Sequence, residues 1–241
     1  MFDFLGDETG LSILFASCVL ALFLVPILVA TWEKRLVWNY LPVDRNDPES
    51  MSGLTDFAFV DRIGGELKDR KFEYVASTRD AKGDRYRTIF DFYLSPDRRV
   101  LVIVGGGTIF GLAMSAMWVF SRIADGRCLL TVSDQNASEL DPTGITEEVL
   151  VPTTVAHEIL RRHRDRLSLE KGEILTYSDD PLTDHLEYRF RRFNALVARG
   201  HAKFLDEAET RWKYTFVGAA NFSVRAIFVG MRRTVWPDAT G

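Results

Sequence analysis

Cysteine is nearly absent from this chain, which carries two in 241 residues, Cys18 and Cys128. One lies in an apolar run and the other stands alone in the body. No disulfide between them is expected, which excludes a disulfide-stapled scaffold. An excess of basic charge is also missing. Thirty Lys and Arg face 34 Asp and Glu, for a net charge of −4 and a pI near 5.7. No global positive field draws in nucleic acid, and none is expected as a partner. Internal repeats and low-complexity tracts are lacking as well.

Catalytic signatures are equally sparse. Of the four histidines, His157 and His163 share one predicted helix. At about 100° per residue, six positions apart, they point to different faces and cannot form a paired zinc site. The run from Gly105 to Gly111, GGGTIFG, matches neither the dinucleotide fingerprint nor a phosphate-binding loop, and a tight β-turn explains it better. There is no Gly-x-Ser-x-Gly elbow. Cys128 falls in a predicted strand, where a buried, inert thiol is the usual outcome. These absences favour a non-enzymatic protein without cofactor or metal. The weak site candidates are Asp180, Asp184 and His185. Their bland alternative is a solvated loop running into a capped helix start.

What is present is a long uncharged run. Leu11 to Trp32 has no charged residue, is bounded by Glu8 and Glu33, and follows a leader without Lys or Arg. A secretory signal would need a basic leader and a shorter apolar core. At about 1.5 Å per residue the run is long enough to cross a hydrocarbon layer of roughly 30 Å. The reading is a single-pass anchor over 11–32 after an acidic tail (1–10). Lys34, Arg35 and Arg45 follow it, so the N-terminus is expected outside and the body in the cytoplasm.

Beyond the anchor, 33–53 reads as a linker, punctuated by Pro42, Pro48 and Gly53. Residues 54–182 form an expected α+β body. A short amphipathic helix over 54–68 is weakened by Gly64-Gly65. An antiparallel β-meander follows over about 71–134. Tyr86 to Leu94 alternates with period two, Ser95-Pro96-Asp97 makes a turn, and Asp125-Gly126 is a hairpin signal. Val100 to Phe120 is uncharged and competes as a second span. Its glycines, its β-branched start and the hairpin partner it supplies favour strands. Residues 135–152 are a polar connection, with a helix at 153–169 capped by Thr153 or Thr154.

Residues 183–241 read as C-terminal helices. Thr183 opens one with Leu186, Phe190, Phe193 and Val197 on a stripe. Phe204, Ala208, Trp212 and Phe216 keep helical spacing. Arg211, Arg225 and Arg232 recur at multiples of seven beside a broad apolar face, which suits a helix in a membrane interface; a core helix is the equal alternative. With Arg161, Arg162 and Arg164 they are the membrane-surface candidates, although Glu158 and Asp165 interleave as in an ordinary solvated face. The expected fold class is α+β: one N-terminal transmembrane helix, then an antiparallel β-meander packed with C-terminal helices. The expected function is a membrane-anchored cytoplasmic interaction or scaffold module, with membrane lipid and a protein as partners. The alternatives are a tethered lipid- or small-ligand-binding domain and an enzyme without a sequence-visible motif.

Overall fold

The computed structural model describes residues 12, 21, 24–25, 27–32, 34–36, 40–52, 54, 57–80, 86–109, 112–133, 141, 143–208 and 211–224. Two compact units emerge: Trp38–Arg192, and a second made of Met1–Val37 with Phe193–Gly241. Strand β1 (Arg35–Leu36) belongs to the second.

The larger unit is built on one sheet. Its strands are β2 (Tyr40–Val43), β3 (Glu73–Asp80), β4 (Tyr86–Leu94), β5 (Leu101–Ile109), β6 (Leu112–Ile123), β7 (Cys128–Val132) and β8 (Thr146–Leu150), side by side in that order. β2 to β7 run antiparallel, β8 joins β7 in parallel, and β9 (Ile174–Leu175) pairs with the end of β6. The α+β class and the antiparallel meander hold. The Asp125-Gly126 signal is a turn between β6 and β7, with Gly126 at φ 95°. Outside the predicted meander, β2 forms within the linker and β8 within the polar connection.

Both faces of the sheet are covered. Along β4, Ile89 and Tyr93 point to one side and Phe90, Phe92 and Leu94 to the other. Helices α1 (Ala58–Asp69) and α2 (Ala156–Leu169) close the first side, setting Val60, Ile63, Leu67, Ile159 and Leu160 against Val102, Val104, Met117 and Val119. Each large apolar side chain so buried contributes about 1.5–3 kcal/mol. The second side is aromatic: Phe90, Phe92 and Phe120 meet Tyr177 and Tyr188, the last from α3 (Pro181–Ala198). A strand buried on both faces has no polar side to show, so Val100 to Val104 reads as a continuous apolar run. The described residues of 101–120 are strand, and the competing second span falls away.

The glycines of this region do something other than turn. Gly105, Gly106 and Gly107 lie inside β5, opposite Phe90, Ile89 and Thr88. A Cβ at 105 would meet the rings of Phe90 and Trp118, both at 2.8 Å, so the missing side chain makes room for them. Gly107 sits at φ 134°, and a Cβ there would lie 2.0 Å from the Arg87 carbonyl oxygen. Because that contact is backbone, Gly107→Ala is expected to destabilise the fold by about 1–3 kcal/mol or more, measurable by urea unfolding. Gly64 is explained in the same way. Its absent Cβ would fall 2.3 Å from the Tyr93 hydroxyl, so α1 keeps a costly glycine in order to approach the sheet.

Several expectations are corrected. Among the described residues no helix is long and apolar enough to cross a membrane. The single-pass anchor, the membrane assignment and the orientation built on it are therefore withdrawn. Within 11–32 the described residues are helical, but Ile27 and Ala30 are buried by protein at 7% and 5% exposure. The remaining residues of that run, including Cys18, lie outside the described residues.

The helical ladder from Phe204 is replaced by strands. β10 (Ala202–Phe204) and β11 (Arg211–Tyr214) form a three-stranded sheet with β1, and helix resumes only over 216–224. Trp212 packs on Phe193 at 4.6 Å and on Tyr214 at 5.0 Å, so its spacing served a strand core. In α3 the fully buried side is Pro181, His185, Tyr188, Phe193 and Leu196, rotated from the predicted stripe because a histidine and a tyrosine belong to it. Neither Thr153 nor Thr154 is the N-cap of α2; Val155 is, without a side-chain cap.

Candidate functional site

The three residues expected at the start of α3 are placed close in sequence and separated in role. Asp180 caps the helix: Thr183 donates to it from its backbone N–H at 3.1 Å and from its hydroxyl at 2.7 Å. Those bonds hold its carboxyl below the usual range. Asp184 accepts the Ser178 N–H at 2.6 Å and pairs with Arg122 at 3.1 Å. His185 turns inward, 2% exposed, edge-on to Phe120 at 4.9 Å. Burial, then the nearby Arg189 and Arg192, push its imidazole down to about 3. The trio does not converge. Among the described residues no group of three or more His, Cys, Asp or Glu is placed to hold a metal.

Asp184 instead lines a cleft of about 250 Å³ in the larger unit, with Arg122, Ile123, Leu175, Glu187, Tyr188 and Arg191. Arg122 is fixed there, donating to the Thr176 carbonyl at 2.6 Å and lying 4.6 Å over the Tyr177 ring. The cation–π contact helps hold it in place. Between β4, β6 and α3 the space is filled by side chains, Phe90, Phe92, Phe120, His185 and Tyr188.

Two polar networks lie under α1 and α2, and sequence reasoning missed both. His163 on α2 is 1% exposed and meets Ser121 at 3.0 Å through Nε2 and Thr131 at 2.9 Å through Nδ1. The Ser121 hydroxyl donates its proton to the Arg99 carbonyl at 2.8 Å. Its oxygen must therefore accept from Nε2–H, which leaves Nδ1 to accept from Thr131. Thr131 in turn accepts from Arg166 at 3.0 Å. Burial, then Arg166, pushes the imidazole down to about 3, so it stays neutral. The serine is fully buried and its proton is committed, so this pair is a structural bridge.

The second network centres on Asp91, 1% exposed on β4. Ser77 donates to it at 2.5 Å and Tyr93 at 3.3 Å, while Arg45 pairs with it at 3.0 Å. Arg45 also donates to Asp61 of α1 at 2.6 Å. Burial raises the Asp91 carboxyl, against the pull of Ser77 and Arg45. On the opposite face Asp141 accepts from Thr143 and Thr146 beside Arg192. Burial pushes its carboxyl up, but Arg192 and these donors outweigh that and hold it low.

The basic candidates are spread out. Arg161, Arg162 and Arg164 are exposed on α2, Arg161 pairing with Asp165 one turn on at 3.3 Å. Arg211 pairs with Asp206 at 2.9 Å from β11. Arg225 and Arg232 lie outside the described residues.

The most conspicuous surface feature belongs to the smaller unit. Opposite the buried Ile27 and Ala30, the helix exposes Leu24 (38%), Val25 (55%), Leu28 (51%), Val29 (61%) and Trp32 (83%). Val25, Leu28, Val29 and Trp32 follow i, i+3, i+4, i+7 spacing, a continuous stripe on one helical face.

Comparison of the chain with protein-family models, with curated proteins and with solved structures finds no match in any of the three.

Proposed function

We propose that this chain is a non-catalytic interaction module that assembles with a second copy of itself through the helical stripe Val25, Leu28, Val29 and Trp32. The observation that carries this reading is the exposure of these side chains while the other side of the same helix is buried. Contiguous apolar surface of this kind marks an interaction site. A second copy is favoured as occupant by charge. The run from Leu11 to Trp32 carries none, so the stripe meets itself without like-charge repulsion. Its spacing is that of a helix–helix seam, and a two-fold interface needs a self-complementary patch. The internal engagement of Ser121, His163, Asp91 and Asp141 supports a binding rather than a catalytic role.

Sedimentation of the full chain in buffer is expected to show a concentration-dependent dimer. Leu28→Glu with Val29→Glu is expected to weaken it by about 100-fold, since each interface would bury unpaired carboxylates. Unchanged near-UV circular dichroism shows that the variant is folded, and Leu28→Ala gives a milder change of the same sign. A wild-type chain that stays monomeric, or a dimer indifferent to both variants, would sink the reading, as would association seen only in lipid vesicles.

A further inference from the structure

We propose that the cleft between β6, β9 and α3 is a binding site for a free α-amino acid with an apolar side chain. The floor of the cleft is fixed and electrically balanced. Arg122 and Asp184 pair at 3.1 Å, Asp184 is held by the Ser178 N–H, and Arg122 is held by the Thr176 carbonyl and the Tyr177 ring. Neither charge of that pair needs a ligand.

Two charges on the rim are different. Glu187 and Arg191 stand one turn apart on α3, both exposed, and neither is tied by an ion pair to another described residue. A guanidinium is the side chain best matched to a carboxylate, because two parallel N–H groups meet its two oxygens. A carboxylate beside it is the matching acceptor for an ammonium. One turn of helix, about 5.4 Å, separates the two positions. That suits a ligand whose ammonium and carboxylate are borne by one carbon.

The rest of the lining sets the third requirement. Ile123, Leu175 and the Tyr188 ring contribute apolar surface, and the Tyr188 hydroxyl is turned away to Thr146 at 2.5 Å. A volume of about 250 Å³ lies just under the roughly 300 Å³ lower end of common ligand sites, so the occupant is small. An ampholyte with a compact hydrocarbon side chain satisfies all three conditions. A simple anion would leave Glu187 opposed, and a simple amine would leave Arg191 opposed.

Isothermal titration of the full chain with L-leucine tests this. Saturable binding with a Kd of about 10 mM or tighter is expected. Loss of the ammonium (4-methylpentanoate), of the carboxylate (leucinol) or of the side chain (glycine) is each expected to weaken binding about 10-fold or more. Glu187→Gln and Arg191→Gln, both at exposed positions, are expected to do the same while leaving thermal unfolding unchanged. Binding of 4-methylpentanoate equal to leucine would overturn the assignment in favour of a plain anion site. Absence of saturable leucine binding, or equal affinity in both variants, would overturn it altogether. Because the cleft lies apart from the stripe of Val25 and Trp32 in sequence and chemistry, self-association measured in the same samples reports on the interaction module independently.

Discussion

Between pH 7 and pH 5 the stability of this chain is expected to fall by about 4 kcal/mol. The cause is two buried imidazoles, His163 and His185, each pushed down to about 3 in the folded state. An unfolded histidine titrates near 6.5. Below that value the unfolded chain takes up two protons that the folded chain refuses. Each withheld proton costs about 1.4 kcal/mol per pH unit. The contribution is complete above the unfolded value and is lost progressively as pH falls towards the folded one. Asp141, held low, adds to the loss at more acid pH. Asp91 acts in the opposite direction, because its raised carboxyl binds its proton more readily folded than unfolded and is relieved by acid. Urea unfolding at pH 7, 6 and 5, followed by tryptophan fluorescence, measures the slope. His185→Phe is the clean control, since its ring lies among Phe92, Phe120 and Tyr188. It is expected to halve the slope above pH 5. An unaltered slope would show that His185 is not held neutral.

Arg45→Met is expected to destabilise the chain by about 3–5 kcal/mol at neutral pH, more than an arginine 28% exposed would ordinarily suggest. The effect comes from its partner. Asp91 is 1% exposed, and without Arg45 its charge keeps only the hydroxyls of Ser77 and Tyr93. An uncompensated buried carboxylate is the costly product, so a second change, Asp91→Asn, is expected to recover most of the loss. Acid is expected to recover it too, because the variant's Asp91 protonates readily in the fold. A single Asp91→Asn change is expected to cost much less than Arg45→Met, because Arg45 retains Asp61 at its other end. If the double variant is as unstable as Arg45→Met, the arginine acts through its stem packing and not through the charge.

How much of this was legible depended on whether local pattern and burial agreed. Tyr86 to Leu94 alternates because its two faces meet different layers, and that period, with its aromatic and β-branched residues, marks it as a strand. Val100 to Val104 was ambiguous because both of its faces are covered. The run at 11–32 failed for a related reason: absence of charge does not say what a helix meets, and here Ile27 and Ala30 are covered by protein while Val25, Leu28, Val29 and Trp32 are exposed. Thr146 to Leu150 looked like a polar connection because two of its residues are glutamates. It is a strand because β7 offers a parallel edge, which no local window contains. Ladder spacing misled at Phe204 to Phe216, where Trp212 answers to Phe193 and Tyr214 across strands and helix.

The site residues were harder. Asp180 and Asp184 form a cluster in sequence, but their separate duties to Thr183 and Arg122 exist only in three dimensions. Glu187 and Arg191 were invisible as a pair, since one helical turn between opposite charges is common on any solvated face. The spacing of His163 from His157 says only that the two do not pair, whereas its meaning lies in Ser121 and Thr131, each more than 30 residues away. The signal for the last two is local: Ser121 stands in line with Met117, Val119 and Ile123, and Thr131 with Leu129, polar residues among buried apolar ones.

The strand order of the large sheet bears on how the chain emerges from synthesis. From β2 to β7 each strand lies beside the one made just before it. β2 reaches β3 only through α1, but from β3 to β7 every addition closes a short loop, which keeps the entropic cost of each of those steps small. At each of those stages the growing edge waits only for the next stretch of chain. β8 ends the series by keeping the direction of β7, and its parallel pairing demands a longer return than any turn between β3 and β7.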